Sequence, residues 1–139
     1  MLRDPSLVPL SHQHHHALAL CVLIDRSPAD VDAQARAIVD QFDSEMRLHF
    51  ELEERVLFPA AAALASTRDL VHELIAEHRR MTALVDALRY AANRAIMAEF
   101  SGVLRQHVRK EESVLFEEMQ RLLSREQLDS IGKLIRQEG

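Results

Sequence analysis

The chain has 139 residues, a formal net charge of −5 and a single cysteine, Cys21. Its 17 basic residues are mixed with 22 acidic ones and form no basic stripe, so we expect no nucleic-acid partner. A lone cysteine excludes an internal disulfide framework and suits a reducing compartment, so we expect a cytoplasmic protein. The longest apolar run, Ala17 to Ile24, is too short to span a bilayer, and we expect no membrane partner.

The composition predicts an all-α fold. Hydrophobic residues make up 47% of the chain and aromatic residues only 4%, with 3 glycines and 4 prolines. Alanine, leucine, glutamate and arginine, which favour helices, dominate, while alternating strand patterns and hairpin dipeptides are nearly absent. The length fits one domain with a substantial core. We therefore predict that residues 1–139 form a single domain.

The first two helices are predicted from capping signals and proline. Ser11 is a plausible N-cap, and an apolar run follows it to about Arg26. A second helix is expected to begin at Pro28, which follows a serine and therefore occupies the favoured first helical position. It should run to about Phe58, where Pro59 kinks or ends it.

The remaining helices complete a bundle. A third helix is predicted to start at Ser66 or Thr67, and a fourth to run from about Ala95 to Leu123. A sequence resembling a capping box then predicts a short fifth helix over about 125–136. Four long helices joined by short links predict an antiparallel up-down four-helix bundle, covering about residues 10–123.

One ten-residue pattern occurs twice. The segment from His49 reads H-F-E-L-E-E-R-V-L-F, and the segment from His107 reads H-V-R-K-E-E-S-V-L-F. Residues four apart lie on one helical face, so His49 is aligned with Glu53 and His107 with Glu111. An imidazole and a carboxylate on one face supply half of a metal site, and two such helices facing each other supply a whole one.

The pattern also divides the chain into two similar halves. His78 precedes the second copy and is followed by apolar residues at positions +3, +6, +7 and +10. In the first helix His14 has this same spacing, whereas His15 matches it less well, so His14 is favoured and His15 remains an alternative. Stacking the two halves would place four histidines and two glutamates in one core.

Metal binding explains why glutamates would occupy a bundle core. An ionised carboxylate buried without a partner costs several kcal/mol or more, and a metal cation offsets that cost. Imidazole and carboxylate ligands suit iron, manganese or zinc, and two bridging carboxylates favour a site with two metals. The alternative is that these are surface histidine–glutamate pairs on solvated helices, which the duplication in register argues against.

Other polar residues near the motif have less definite roles. Glu54 and Glu112 are either solvated or accept hydrogen bonds that orient a ligating imidazole. Glu45 lies one helical turn before the first motif and is the best candidate for an additional ligand. His12 and His16 are expected to be exposed or to support a ligand.

These residues resemble the hemerythrin-like, or HHE cation-binding, family of four-helix bundles from about Leu10 to Leu123. The resemblance implies a non-haem di-iron centre, two iron ions (Fe2+/Fe3+) with a bridging solvent oxygen. Leu74 stands where oxygen-carrying members have a further histidine, and the last motif is one residue shorter and ends in glutamate. The implied metal ligands are His14 and His49 on one iron, His78 and His107 on the other, and Glu53 and Glu111 bridging both.

The resemblance implies that a small molecule is the partner. The expected function is binding or sensing of oxygen, nitric oxide or iron through the dinuclear centre. The alternative is a di-iron enzyme that reduces peroxide or activates oxygen. The sequence leaves open whether the protein is an enzyme.

Overall fold

The computed structural model describes residues 2–26 and 30–138, and helices account for 87% of the chain. No strand occurs among these described residues, and none of their helices is long and apolar enough to cross a membrane. The prediction of an all-α fold is therefore confirmed. The described residues form five helices: α1 (Val8–Arg26), α2 (residues 31–62), α3 (Arg68–Tyr90), α4 (residues 94–122) and α5 (Arg125–Glu138).

Helices α2 and α4 each contain widened, π-helical turns. The backbone stays in the right-handed helical region at every junction, so each helix is continuous. In α2 the segments are Val31–Gln41, π-helical Phe42–Met46, Arg47–Leu52, π-helical Glu53–Leu57 and Phe58–Ala62. In α4 they are Arg94–Lys110, π-helical Glu111–Leu115 and Phe116–Leu122.

The first helix begins earlier than predicted. Helix α1 starts at Val8, so the assignment of Ser11 as its N-cap is wrong. The chain instead turns at Asp4, whose side chain accepts a hydrogen bond from the Ser6 amide and whose carbonyl accepts from two later amides. Pro9 then lies in the first helical turn, where a missing N–H costs nothing.

The start of α2 also differs from the prediction. Asp30 caps the helix by accepting a hydrogen bond from the Ala33 amide at 3.0 Å, and the first helical residue is Val31. The predicted start at Pro28 lies outside the described residues.

Pro59 does not end α2, which continues to Ala62. A proline ring inside a helix clashes with the carbonyl four residues earlier, here that of Arg55. The π-helical turn immediately before Phe58 widens the backbone at that place and accommodates the ring.

The later boundaries agree closely with the sequence. Helix α3 begins after Thr67, whose hydroxyl donates a hydrogen bond of 2.6 Å to the Ala61 carbonyl and so holds the link between α2 and α3. Asn93 caps α4, whose first residue, Arg94, lies one residue before the predicted start. Ser124 and Gln127 form a reciprocal capping box, each side chain bonding the other's amide at 3.1 and 2.8 Å.

The core consists of two apolar clusters with a polar layer between them. Helix α3 packs against α2 and α4, and α1 packs against α4. Along α3 the fully buried Leu74 belongs to one cluster and Met81 to the other, with His78 between them. Along α1, His14 lies in the same way between Leu10 and Ala17. The helices therefore bring their predicted site residues to one level of the core.

Alanine substitutions at two glycines, one in α5 and one in α4, test how α5 packs on the amino-terminal segment. A Cβ at Gly132 would lie 2.5 Å from Ser6 Oγ and 3.0 Å from Ser6 Cα, whereas a Cβ at Gly102 in α4 would meet nothing within 4 Å. Glycine to alanine in a helix normally stabilises by up to about 1 kcal/mol. We expect this gain for Gly102→Ala and a loss of about 1–3 kcal/mol from overpacking for Gly132→Ala. Urea unfolding measures both, and a stabilising Gly132→Ala would contradict the contact.

Candidate metal centre

All six predicted site residues lie in the polar layer of the core. Their relative exposures range from 0% for the two glutamates to 7% for His49, so solvated surface pairs are the wrong interpretation. His15, the alternative in the first helix, is exposed and lies outside the cluster. The buried site residues are His14, His49, Glu53, His78, His107 and Glu111.

The six residues form two groups of potential metal ligands that share both carboxylates. In each group the ligand atoms lie within 4.8 Å of one another. We call the group completed by His14 and His49 position one, and the group completed by His78 and His107 position two; Glu53 and Glu111 belong to both. Shared carboxylates are the arrangement expected of two bridged ions.

Each shared carboxylate contacts a histidine from the other half of the chain. Glu111 Oε1 lies 2.9 Å from His14 Nε2, and Glu53 Oε1 lies 2.9 Å from His78 Nε2. The motif in α4 therefore completes position one with α1, and the motif in α2 completes position two with α3. Neither half of the chain contains a complete position.

Several nitrogen and oxygen atoms of the site do not hydrogen-bond to one another and are available to bind a cation. Three buried atoms of the site have no hydrogen-bond partner: His49 Nε2, Glu53 Oε2 and Glu111 Oε2. His49 Nε2 lies 3.2 Å from Glu53 Oε2 and His107 Nε2 lies 3.5 Å from Glu111 Oε2. Buried polar atoms are nearly always satisfied, so this donor set of nitrogen and oxygen is suited to a metal ion.

Two of the four buried histidines are hydrogen-bonded through Nδ1 to the second glutamate of a motif. We call Nδ1, the ring nitrogen that does not face the shared carboxylates, the outer nitrogen. Glu112 Oε2 lies 2.6 Å from His14 Nδ1, and Glu54 Oε2 lies 2.7 Å from His78 Nδ1. An ionised carboxylate can only accept, so each Nδ1 donates and the neutral ring keeps its lone pair on Nε2, where a metal would bind. Of the two roles left open, these glutamates therefore have the role of acceptors.

The other two histidines are oriented by residues that the sequence analysis missed. His49 Nδ1 is hydrogen-bonded to Gln13 Oε1, and His107 Nδ1 lies 2.9 Å from Glu77 Oε1. Gln13 directly precedes the α1 histidine, and Glu77 directly precedes the α3 histidine. Aligning the two halves of the chain at those histidines would have revealed both residues.

The π-helical turns explain why each copy of the duplicated pattern ends in phenylalanine. A π-helical hydrogen bond joins the Phe58 amide to the Glu53 carbonyl, and another joins Phe116 to Glu111. These bonds bring each phenylalanine to the face of its glutamate. Phe58 then stacks on the His78 ring with centroids 5.4 Å apart, and the Phe116 ring lies 5.7 Å from that of His14.

The same turns correct one expectation from helical spacing. In a regular α-helix Val56 and Val114, three residues after the glutamates, would share their buried face. Val114 is 45% exposed and Val56 only half-buried, whereas Leu57 and Leu115 are fully buried. The extra residue in each π-helical turn rotates the valines away from the core.

Protonation balances the charge of the metal-free site. Burial lowers the pKa of His14, but hydrogen bonds to Glu111 and Glu112 outweigh it and raise the pKa to about 9. Burial likewise lowers the pKa of His107, and the charge of Glu111 with its hydrogen bonds raises it well above the usual value. For Glu53 burial raises the pKa, but the charge of His49 and several hydrogen bonds hold it well below the usual range. Protons therefore take the place that metal cations would fill.

Glu45 lies outside both ligand groups, at the edge of a cavity. Its half-exposed carboxylate lies 3.8 Å from His16 Nδ1, so the structure does not bring it among the ligands. The cavity, of about 250 Å³, extends from these two residues past apolar walls to His14, His49 and His107. His12 is exposed, in agreement with expectation.

Comparison with known proteins agrees with this geometry. The family described as the hemerythrin HHE cation-binding domain matches residues 8–128, which include all six potential ligands. No match was found among curated proteins or among solved structures. Since the family match covers most of the sequence, the chain belongs to the hemerythrin family of HHE cation-binding domains.

Proposed function

We propose that the four long helices form an antiparallel up-down bundle whose core binds two iron ions, and that this centre binds or senses a small molecule such as oxygen or nitric oxide. The observation that carries the proposal is the pair of buried ligand groups sharing Glu53 and Glu111. The two carboxylates would bridge the ions, and each ion would take two imidazoles. Iron bound there would supply reversible ligand binding or electron transfer.

The protein supplies fewer donors than two six-coordinate ions need. Four imidazoles and two carboxylates form the whole cluster of described ligands, and Leu74 is fully buried among apolar side chains. Leucine offers no donor at the place where oxygen-carrying relatives have a histidine. Solvent or a small ligand would complete the coordination, as reactive metal sites require.

The cavity gives such a ligand a route. It reaches His14, His49 and His107, and its inner walls include Ala17, Met46 and Leu104. Apolar walls favour small uncharged molecules such as oxygen or nitric oxide over hydrated ions. This observation favours ligand binding or sensing as the function. Sustained consumption of peroxide or oxygen by the iron-loaded protein would instead show that the protein is an enzyme.

Metal content tests the ligand assignment. Anaerobic iron loading of the full chain should saturate near two equivalents, measured by elemental analysis after gel filtration. Glu53→Ala should lower the content below two because one shared carboxylate is lost, whereas Glu51→Ala, at an exposed position of the same helix, should retain it. His14→Ala should likewise reduce the content and His15→Ala should not. Saturation at one equivalent or none in folded wild type would contradict the dinuclear site.

The pH dependence of stability should differ between metal-free and loaded protein. The pKa of His14 rises from 6.5 to about 9 in the folded metal-free protein, because hydrogen bonds to Glu111 and Glu112 outweigh burial. A histidine whose pKa is raised in the folded state stabilises the folded protein when it is protonated. This contribution is complete below pH 6.5 and is lost as the pH rises through about 9. A metal ion replaces that proton, so the increase in Tm caused by iron should grow over this window. Anaerobic thermal unfolding at several pH values measures this increase in Tm. An increase that becomes smaller as the pH rises would contradict competition between the proton and the metal.

The cavity can be blocked without changing a proposed ligand. Ala17 is buried in its wall, and Ala19 lies exposed on the same helix. We expect Ala17→Leu to slow nitric oxide binding to the iron-loaded protein about tenfold or more, while Ala19→Leu leaves it unchanged. Anaerobic stopped-flow absorbance measures the rates, with iron content measured for each variant. Equal nitric oxide rates at equal iron content would show that ligands use another route.

A further inference from the structure

The two halves of the site differ in one hydrogen-bond acceptor. Three of the four outer nitrogens meet a carboxylate, but His49 Nδ1 meets the neutral amide of Gln13. The corresponding residue in the other half is Glu77, 2.9 Å from His107 Nδ1. Position two therefore has carboxylate acceptors on both histidines, and position one on only one.

A carboxylate changes the ligand it contacts. An imidazole that donates its Nδ1–H to a carboxylate becomes more electron-rich at Nε2 and binds a cation more strongly than one that donates to an amide. Lys110 is ion-paired with Glu77, but it also pairs with Glu73, so its charge is shared. At position one, Arg3 lies 3.3 Å from Glu112 and 4.0 Å from Glu117, so its charge is shared in the same way. The excess of negative charge at position two remains.

Packing adds to this difference. The His78 ring lies between two phenylalanine rings, with its centroid 3.9 Å from that of Phe50 and 5.4 Å from that of Phe58. In the other half, valine stands in the place of Phe50, at Val108. A ring clamped on both faces loses less freedom when it binds a metal.

We propose that the two metal positions are inequivalent, and that Glu77 and Gln13 set the order in which they fill. Position two, with His78 and His107, fills first and holds its ion more tightly. Position one, with His14 and His49, fills second and exchanges its ion more readily. This inference rests on the proposed two-metal site.

A step in the binding curve alone would not establish this order. Two cations that share two carboxylates repel each other, so a symmetric centre would also bind its second ion more weakly. The informative quantities are which histidines bind first and how the order responds to exchanging the two acceptors. Glu77→Gln and Gln13→Glu keep a side-chain oxygen for Nδ1 and change the charge alone.

The experiment titrates metal-free full-length protein with Zn2+, a diamagnetic probe, and follows each histidine by long-range 1H–15N NMR. With one equivalent in the wild type, the Nε2 signals of His78 and His107 should shift first. Fe2+ affinities are then measured anaerobically against a competing chelator. Glu77→Gln should weaken the tighter step by about 10- to 100-fold. The double variant Gln13→Glu/Glu77→Gln should bind its first metal ion at position one.

Glu73→Gln is the matched control. It removes the same charge from the other carboxylate that Lys110 contacts, but Glu73 makes no contact with a ligating imidazole. Its affinities should stay within a few-fold of wild type. Simultaneous shifts of all four buried histidines at one equivalent in every variant, or equal effects of Glu73→Gln and Glu77→Gln, would overturn the inference and leave the two-metal site intact. If no buried histidine shifts, both proposals fail.

Discussion

The burial of two carboxylates is the constraint on which the rest of this structure depends. Glu53 and Glu111 are completely inaccessible to solvent in the middle of an otherwise apolar core. Ionised groups there are tolerated only when opposite charge and hydrogen bonds surround them. Four imidazoles supply that surrounding, and each imidazole is in turn held by an outer acceptor. The two apolar clusters lie on either side of this layer.

The duplicated pattern is better understood as two interlocked halves than as two copies of one site. Each motif provides a histidine and a carboxylate, and it also provides the glutamate and phenylalanine that orient a histidine of the other half. Glu54 and Phe58 both contact His78, while Glu112 and Phe116 both contact His14. A half folded alone would lack these contacts, so assembly of the site and assembly of the core are the same event.

Much of this arrangement follows from the sequence because it depends on local periodicity. The spacing of four between histidine and glutamate determines their common face, and the capping box of Ser124 and Gln127 marks the start of the last helix. The π-helical turns do not follow, since they arise when packing of Phe58 and Phe116 favours one extra residue in the turn. Gln13 was missed because it is an exposed residue whose single contact, with His49, depends on how α1 and α2 pack. The turn at Asp4 was missed because Ser11 is itself a favoured N-cap residue close to the apolar run.

The two proposed metal positions differ in how the protein supports their histidines. The cavity reaches His14, His49 and His107, so it opens towards both positions, but only the pair His14 and His49 includes an imidazole supported by an amide. At the other pair, aromatic rings cover His78 and carboxylates support both histidines. In the proposed site, an ion that is weakly held by protein donors would keep more affinity for an external ligand. With Leu74 contributing no donor, the difference between the two positions would come from the outer acceptors and from the packing of Phe50 on His78, so the amide at His49 would make position one the more reactive.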